Sequence, residues 1–158
     1  MNGNTALFVS SRKASVGTDQ MTTSWQTQLS SLRRIGFDSM ALIYHLEGRQ
    51  PYANLLAQAI TRVESGRAIG FMSTVVEMEI LVKPMRERDM ATQDRVETFL
   101  RQMPNISVRP VDRIIARRAA DVRARTRLAP LDAIIVATGL EERCDAIIGN
   151  DSLIASRL

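Results

Sequence analysis

The chain is nearly devoid of histidine and cysteine: His45 and Cys144 are the single examples among 158 residues. One thiol cannot close an internal disulfide and offers no framework for zinc, so a reducing compartment is expected, by default the cytoplasm, rather than a secreted scaffold. Aromatic residues are also scarce, seven in all, which argues against an extended platform for stacking bases. Lysine is rarer still. Of 21 basic residues 19 are arginine, a bias that favours planar, bidentate contacts to phosphate. No run approaches the roughly 20 apolar residues that span a bilayer, and the first 30 residues lack the apolar middle of a signal peptide, so no membrane association is expected.

What remains is the composition of one compact domain of 17.6 kDa, 45% hydrophobic and 24% charged, with a net charge of +4. Residues 1–30 show no helical or strand period and are expected to be a flexible tail outside a domain spanning 31–158. From there the pattern alternates. Ile35 to Phe37 reads as a short strand running into a helix at Met40 to Leu46, and Pro51 to Glu64 as a second helix. Ala68 to Met72 reads as a strand, and Ser73-Thr74 as the cap of a helix to Val82 that Pro84 should end. A helix from Asp89 to Met103, a strand at Ile106 to Val108 and a helix capped by Asp112 follow. Leu131 to Leu140 reads as a buried helix, and Ala146 to Ile148 as a last buried strand. Alternation of this kind predicts an α/β domain with a short, mostly parallel sheet.

Ligands of such sheets gather beyond the carboxyl ends of the strands. Asp38 and Asp151 each lie just past a strand end. Asp132 opens an otherwise apolar helix, and Glu79 lies in the helix after the Ala68 to Met72 strand. Asp132 alone could simply complement a helix dipole, and Asp151 alone could belong to a turn. Asp38, placed between Phe37 and the apolar Met40 to Ile43, is harder to explain without a counter-charge. Four carboxylates sharing one edge would repel one another unless a divalent cation sat among them, and oxygen-only sites suit hard ions such as Mg²⁺ or Mn²⁺. Glu77, two residues before Glu79, is expected to be the more exposed of the pair.

These segments resemble the PIN-domain family of ribonucleases, in particular the VapC-type toxins of type II toxin-antitoxin pairs. The resemblance is carried by Phe37-Asp38-Ser39 with Leu42-Ile43-Tyr44, by Met72-Ser73-Thr74-Val75 with Glu79-Ile80-Leu81, by Leu131-Asp132-Ala133-Ile134-Ile135, and by Ile147-Ile148 with Asn150-Asp151. It implies a three-layer α/β/α fold that cuts single-stranded RNA with Mg²⁺ or Mn²⁺, with Asp38, Glu79, Asp132 and Asp151 as catalytic and metal-binding acids. It implies hydrolysis by an activated water that leaves a 5′-phosphate, a cognate antitoxin partner and a homodimer. Two departures stand out. Gly149 occupies a position where the family often has Ser or Thr, and the chain ends seven residues after Asp151, so the sheet is expected to lack an edge strand there. The alternative is an inactive PIN-like module that binds RNA or protein without cutting.

The basicity is local. Arg109 to Arg127 holds seven arginines against Asp112 and Asp121, a net +5, which leaves −1 for the rest. Arg113, Arg117, Arg123, Arg125 and Arg127 are therefore candidate contacts to RNA or to an acidic antitoxin segment, with a merely solvated helix face as the plain reading. His45 is expected to pack or lie on the surface. Met40, Met72, Met78 and Met103 are expected to fill gaps in the core.

Overall fold

A computed structural model of the chain describes residues 7–10, 18–50 and 52–149. Along them run β1 (Leu7–Ser10), α1 (Thr18–Ser31), β2 (Arg34–Phe37), α2 (Ser39–Leu46), α3 (Tyr52–Glu64) and β3 (Ile69–Ser73). They are followed by α4 (Thr74–Glu87), α5 (Met90–Gln102), β4 (Ile106–Arg109), α6 (Arg113–Thr126), α7 (Pro130–Glu141) and β5 (Ala146–Gly149). The strands form one sheet in the order β1-β5-β2-β3-β4, with every neighbouring pair parallel. Its middle strands are short apolar runs because both faces are covered.

Ile35 and Phe37 are fully buried, and the next strand's Gly70 brings Phe37 and Val63 of α3 together on that side. On the opposite face α7 passes over Ile147. A Cβ on Gly139 would lie 2.5 Å from the Ile147 Cδ1, so the helix approaches the sheet to a distance that only glycine leaves open. Helix α6 packs outside on α7, and α2 joins α3, giving the expected three-layer α/β/α domain. Local chemistry sets several helix starts: Ser73, Asp89 and Asp112 each accept a hydrogen bond from a backbone N–H in the first turn that follows.

Several expectations are corrected. The stretch 1–30 is not a bare tail. It contributes β1, which pairs with β5 on the side where an edge strand was expected to be missing, and most of α1. Helix α1 is tied down: Trp25 Nε1 donates to the Leu55 carbonyl at 3.1 Å, Arg62 Nη2 donates to the Ser30 carbonyl at 2.6 Å, and Leu29 is only 5% exposed within the core. The sequence hides this because Trp25 and Leu29, one turn apart, are the inward anchors in an otherwise polar segment.

The second correction concerns Pro84, which does not end its helix. It is buried inside α4, which runs on to Glu87 and stops at Arg88 in the left-handed conformation. Burial of the ring offsets the lost N–H, and the Pro84 carbonyl accepts from Asp89 N and Gln93 Nε2. Met40 and Met78 are likewise not core residues but 38% and 48% exposed, whereas Met72 and Met103 are buried. Leu29→Ala should lower stability by about 2–4 kcal/mol in urea denaturation if α1 belongs to the folded unit, whereas a substitution in a detached tail would change nothing.

Candidate active site

Parallel register sends β2, β3 and β5 toward the same edge, and the chain leaves each into a helix or loop there. Asp38 follows the last residue of β2 with extended backbone angles (φ −88°, ψ 154°) and precedes α2. Its N–H donates to the Ile148 carbonyl at 3.0 Å, which anchors it to the centre of the sheet. The side chain does not cap α2, although it occupies the cap position. It is 4% exposed and accepts a hydrogen bond from the Ser39 hydroxyl at 3.3 Å.

Two acids from other elements act on it: Glu79, in the second turn of α4, and Asp132, in the first turn of α7. Burial first, then the Glu79 charge and more weakly that of Asp132, push the Asp38 carboxyl from its ordinary 3.8 up to about 6. The Ser39 backbone N–H and hydroxyl work in the opposite direction. Glu77 is not among the groups that act on Asp38. Both Glu77 and Glu79 are partly buried. Asp151 lies outside the described residues, together with Asn150; Gly149 is buried in β5 and brings no hydroxyl to this edge.

Among the described residues, no three His, Cys, Asp or Glu side chains stand close enough to hold a metal ion as they are oriented. The donor set nonetheless fits a hard divalent cation. It is made of carboxylate oxygen, it comes from three different elements, and no described Lys, Arg or His appears among the influences on the buried Asp38.

A supporting network was not evident from the sequence. Glu47, just past α2, pairs with Lys83 Nζ at 2.9 Å and Arg49 Nε at 2.5 Å, and the Lys83 hydrogen bond holds its carboxyl below the usual range. Lys83 lies one turn beyond Glu79, so this network links the helix that follows Asp38 to the helix that carries Glu79. The spacing Glu79–Lys83 was the available signal. Ser39 was present only as part of a motif, and its contact with Asp38 depends on the strand-to-helix turn. Tyr44 stacks on Tyr52 with ring centroids 5.4 Å apart, and His45 packs half-buried near Phe99, where burial lowers its pKa.

On α6, Arg113 and Arg117 are exposed and have no ion-pair partner among the described residues. Arg125 pairs with Asp121, Arg123 Nε donates to the Leu128 carbonyl at 3.2 Å, and Arg118 Nε meets Glu141 at 2.6 Å. The last contact ties the middle of α6 to the end of α7. The two helices therefore run antiparallel, and the connection through Arg127 brings the arginine-rich end of α6 next to the start of α7, where Asp132 sits. A shallow depression on α6 is lined by Ala120, Arg123, Ala124 and Arg127.

The raised Asp38 carboxyl sets a pH dependence. A folded-state value of about 6 against 3.8 means that the folded protein holds the proton more tightly, so this group's contribution is fully present below pH 3.8. It declines as pH rises to about 6 and stays lost above. The loss amounts to about 3 kcal/mol by the ordinary value of a pKa unit. In metal-free buffer with chelator, Asp38→Asn should match the parent's melting temperature near pH 4 and exceed it by several degrees at pH 8.

A model of the PIN domain matches residues 35–156. No curated protein sequence matches the chain. Among solved structures, one described as a toxin-antitoxin complex from Klebsiella pneumoniae aligns with a TM-score of 0.60 at 22% identity, covering 75% of this chain and 87% of that one. At that identity the likeness is one of fold. With the family model spanning most of the chain and the acids gathered at the carboxyl edge of its sheet, the protein belongs to the PIN-domain family, whose members are generally nucleases.

Proposed function

We propose that the protein is a metal-dependent endoribonuclease, a hydrolase of RNA phosphodiester bonds, and the toxin of a toxin-antitoxin pair in the cytoplasm, held in check by a cognate antitoxin and acting as a homodimer. One observation carries the catalytic part: a carboxylate at the end of a central strand is buried without a cationic partner among the described residues while two more carboxylates from separate helices press on it. A fold does not keep such an arrangement for stability, because each charge raises the cost of the others. The resemblance to a solved toxin-antitoxin complex supports the toxin reading.

Asp38, Glu79 and Asp132 would hold Mg²⁺ or Mn²⁺, with Asp151 completing the set. The ion would supply Lewis acidity toward a phosphate oxygen and make a water nucleophilic near neutral pH. The chain's own residues do the positioning. Ser39 orients the Asp38 carboxyl through its hydroxyl, and the Asp38 N–H bond to Ile148 fixes that carboxyl relative to β5. Glu79 and Asp132 approach from two helices, so the site closes only when α4 and α7 are seated on the sheet. Among the described residues no helix is long and apolar enough to cross a membrane.

The exposed α6 charges suit the rest of the substrate. Arg113 and Arg117 are available to phosphates, and Arg123, Arg125 and Arg127 lie toward the α7 end that bears Asp132. A single strand tracking along α6 would thus lead into the acidic edge.

Incubation of the full chain with single-stranded RNA and Mn²⁺ should give cleavage that chelator abolishes and that Asp38→Asn or Asp132→Asn lowers at least about 100-fold. If parent and Asp38→Asn are equally inert while both bind RNA, the protein is a binding module. Arg113→Ala with Arg117→Ala should weaken RNA binding across sequences and reduce the slope of log affinity against log salt by about 2, one per lost phosphate contact.

A further inference from the structure

Helix α2 packs against α4, and a charge of α4 acts on each of its two ends. Asp38, at the cap position where α2 starts, feels the Glu79 carboxylate. Glu47, at the cap position where α2 stops, accepts from the Lys83 ammonium at 2.9 Å. Glu79 and Lys83 stand four residues apart on α4 and so share one face of it. The first meeting repels and the second attracts.

Glu47 is fixed from its own side. Gly48 takes the left-handed conformation (φ 68°), its N–H donates to the His45 carbonyl at 3.2 Å and the Arg49 N–H to the Tyr44 carbonyl at 2.9 Å, which closes the end of α2. Arg49 Nε meets the Glu47 Oε2 at 2.5 Å, and its guanidinium carbon lies 5.5 Å from the centre of the Tyr44 ring, itself stacked on Tyr52. The other oxygen, Oε1, is left for Lys83, whose ammonium Glu47 holds above its ordinary range, with Glu87 a weaker influence. Burial of Val75, Val76, Ile80 and Pro84 seats α4 on the domain. Repulsion between Asp38 and Glu79 favours a turn of α4 about its axis that carries Glu79 away, and the same turn would pull Lys83 from Glu47. The ion pair therefore opposes it.

We propose that Lys83 is a positioning residue of the acidic site: its ion pair with Glu47 latches the Glu79 face of α4 against the like charge of Asp38, so that the two carboxylates receive a divalent cation together. The proposal rests on the metal-dependent reading above and adds a residue outside the donor set that raises the affinity of the site. The sign of its effect is diagnostic. A lysine acting only through its field repels Mg²⁺ or Mn²⁺, and removing its charge tightens binding. A lysine acting as a latch does the reverse, because its loss lets Glu79 move off.

The test is isothermal calorimetry of Mn²⁺ binding to the full chain after chelator treatment. The parent should bind Mn²⁺. Lys83→Met, which keeps an unbranched side chain and a good helix former without the charge, should weaken binding about three- to fivefold, the size expected of a partly exposed ion pair. Its melting curve should stay that of a folded protein, since the Lys83 side chain is 53% exposed. In a Glu47→Gln background the latch is already broken, so adding Lys83→Met should weaken binding no further. Unchanged or tighter binding by Lys83→Met overturns the latch and leaves the metal site standing. An equal further loss in the Glu47→Gln background also overturns it, because the two residues would then act separately. A parent that binds no Mn²⁺ overturns the metal-dependent reading and the latch with it.

Discussion

The constraint on which the site depends is the carboxyl group of Asp38, held out of water at the end of a central strand with no opposite charge beside it among the described residues. Everything near it either fixes or burdens that group. The backbone bond to Ile148 fixes its height on the sheet and the Ser39 hydroxyl its orientation. Glu79 and Asp132 burden it with like charge. Such repulsion persists in a folded protein only if hydrophobic burial elsewhere offsets it. The core around Ile35, Phe37, Leu42, Val76, Val136 and Ile147 provides that burial directly beneath the acids.

The second dependence is topological. In a parallel sheet every strand delivers its carboxyl end to one edge, so residues far apart in sequence meet there without any contact between their own strands. Asp38 and Asp132 are separated by 94 positions, yet the β2–β5 register and the descent of α7 over Ile147 bring them within electrostatic reach. Gly139 matters here for a steric reason. A side chain at that point would lift α7 from the sheet, and with it Asp132 from the site.

The amino-terminal segment and helix α4 extend the same logic outward. β1 supplies the strand beside β5 that the carboxyl end of the chain was expected to lack, so the strand leading to Asp151 is flanked on both sides. Helix α4 is used twice, its inner side against α2 and the sheet and its flank for Glu79.

From the sequence alone, the alternation of short apolar runs with capped helices determined the α/β class, the positions of β2 to β5 and α2 to α7 within a few residues, and a short list of acids. These are local properties, set by periodicity, capping side chains and strand-end position. The sequence could not decide whether Pro84 breaks its helix, because that turns on burial of its ring. It could not decide whether residues 1–30 belong to the fold, because Trp25 and Leu29 are too few to make a period and find partners only on α3 and in the core. Nor could it distinguish a methionine that fills a gap from one that faces solvent, since Met72 and Met78 have the same side chain and opposite surroundings. Tertiary structure alone decided which carboxylates act on Asp38, because Coulomb interaction and burial depend on distances through space that spacing along the chain does not contain.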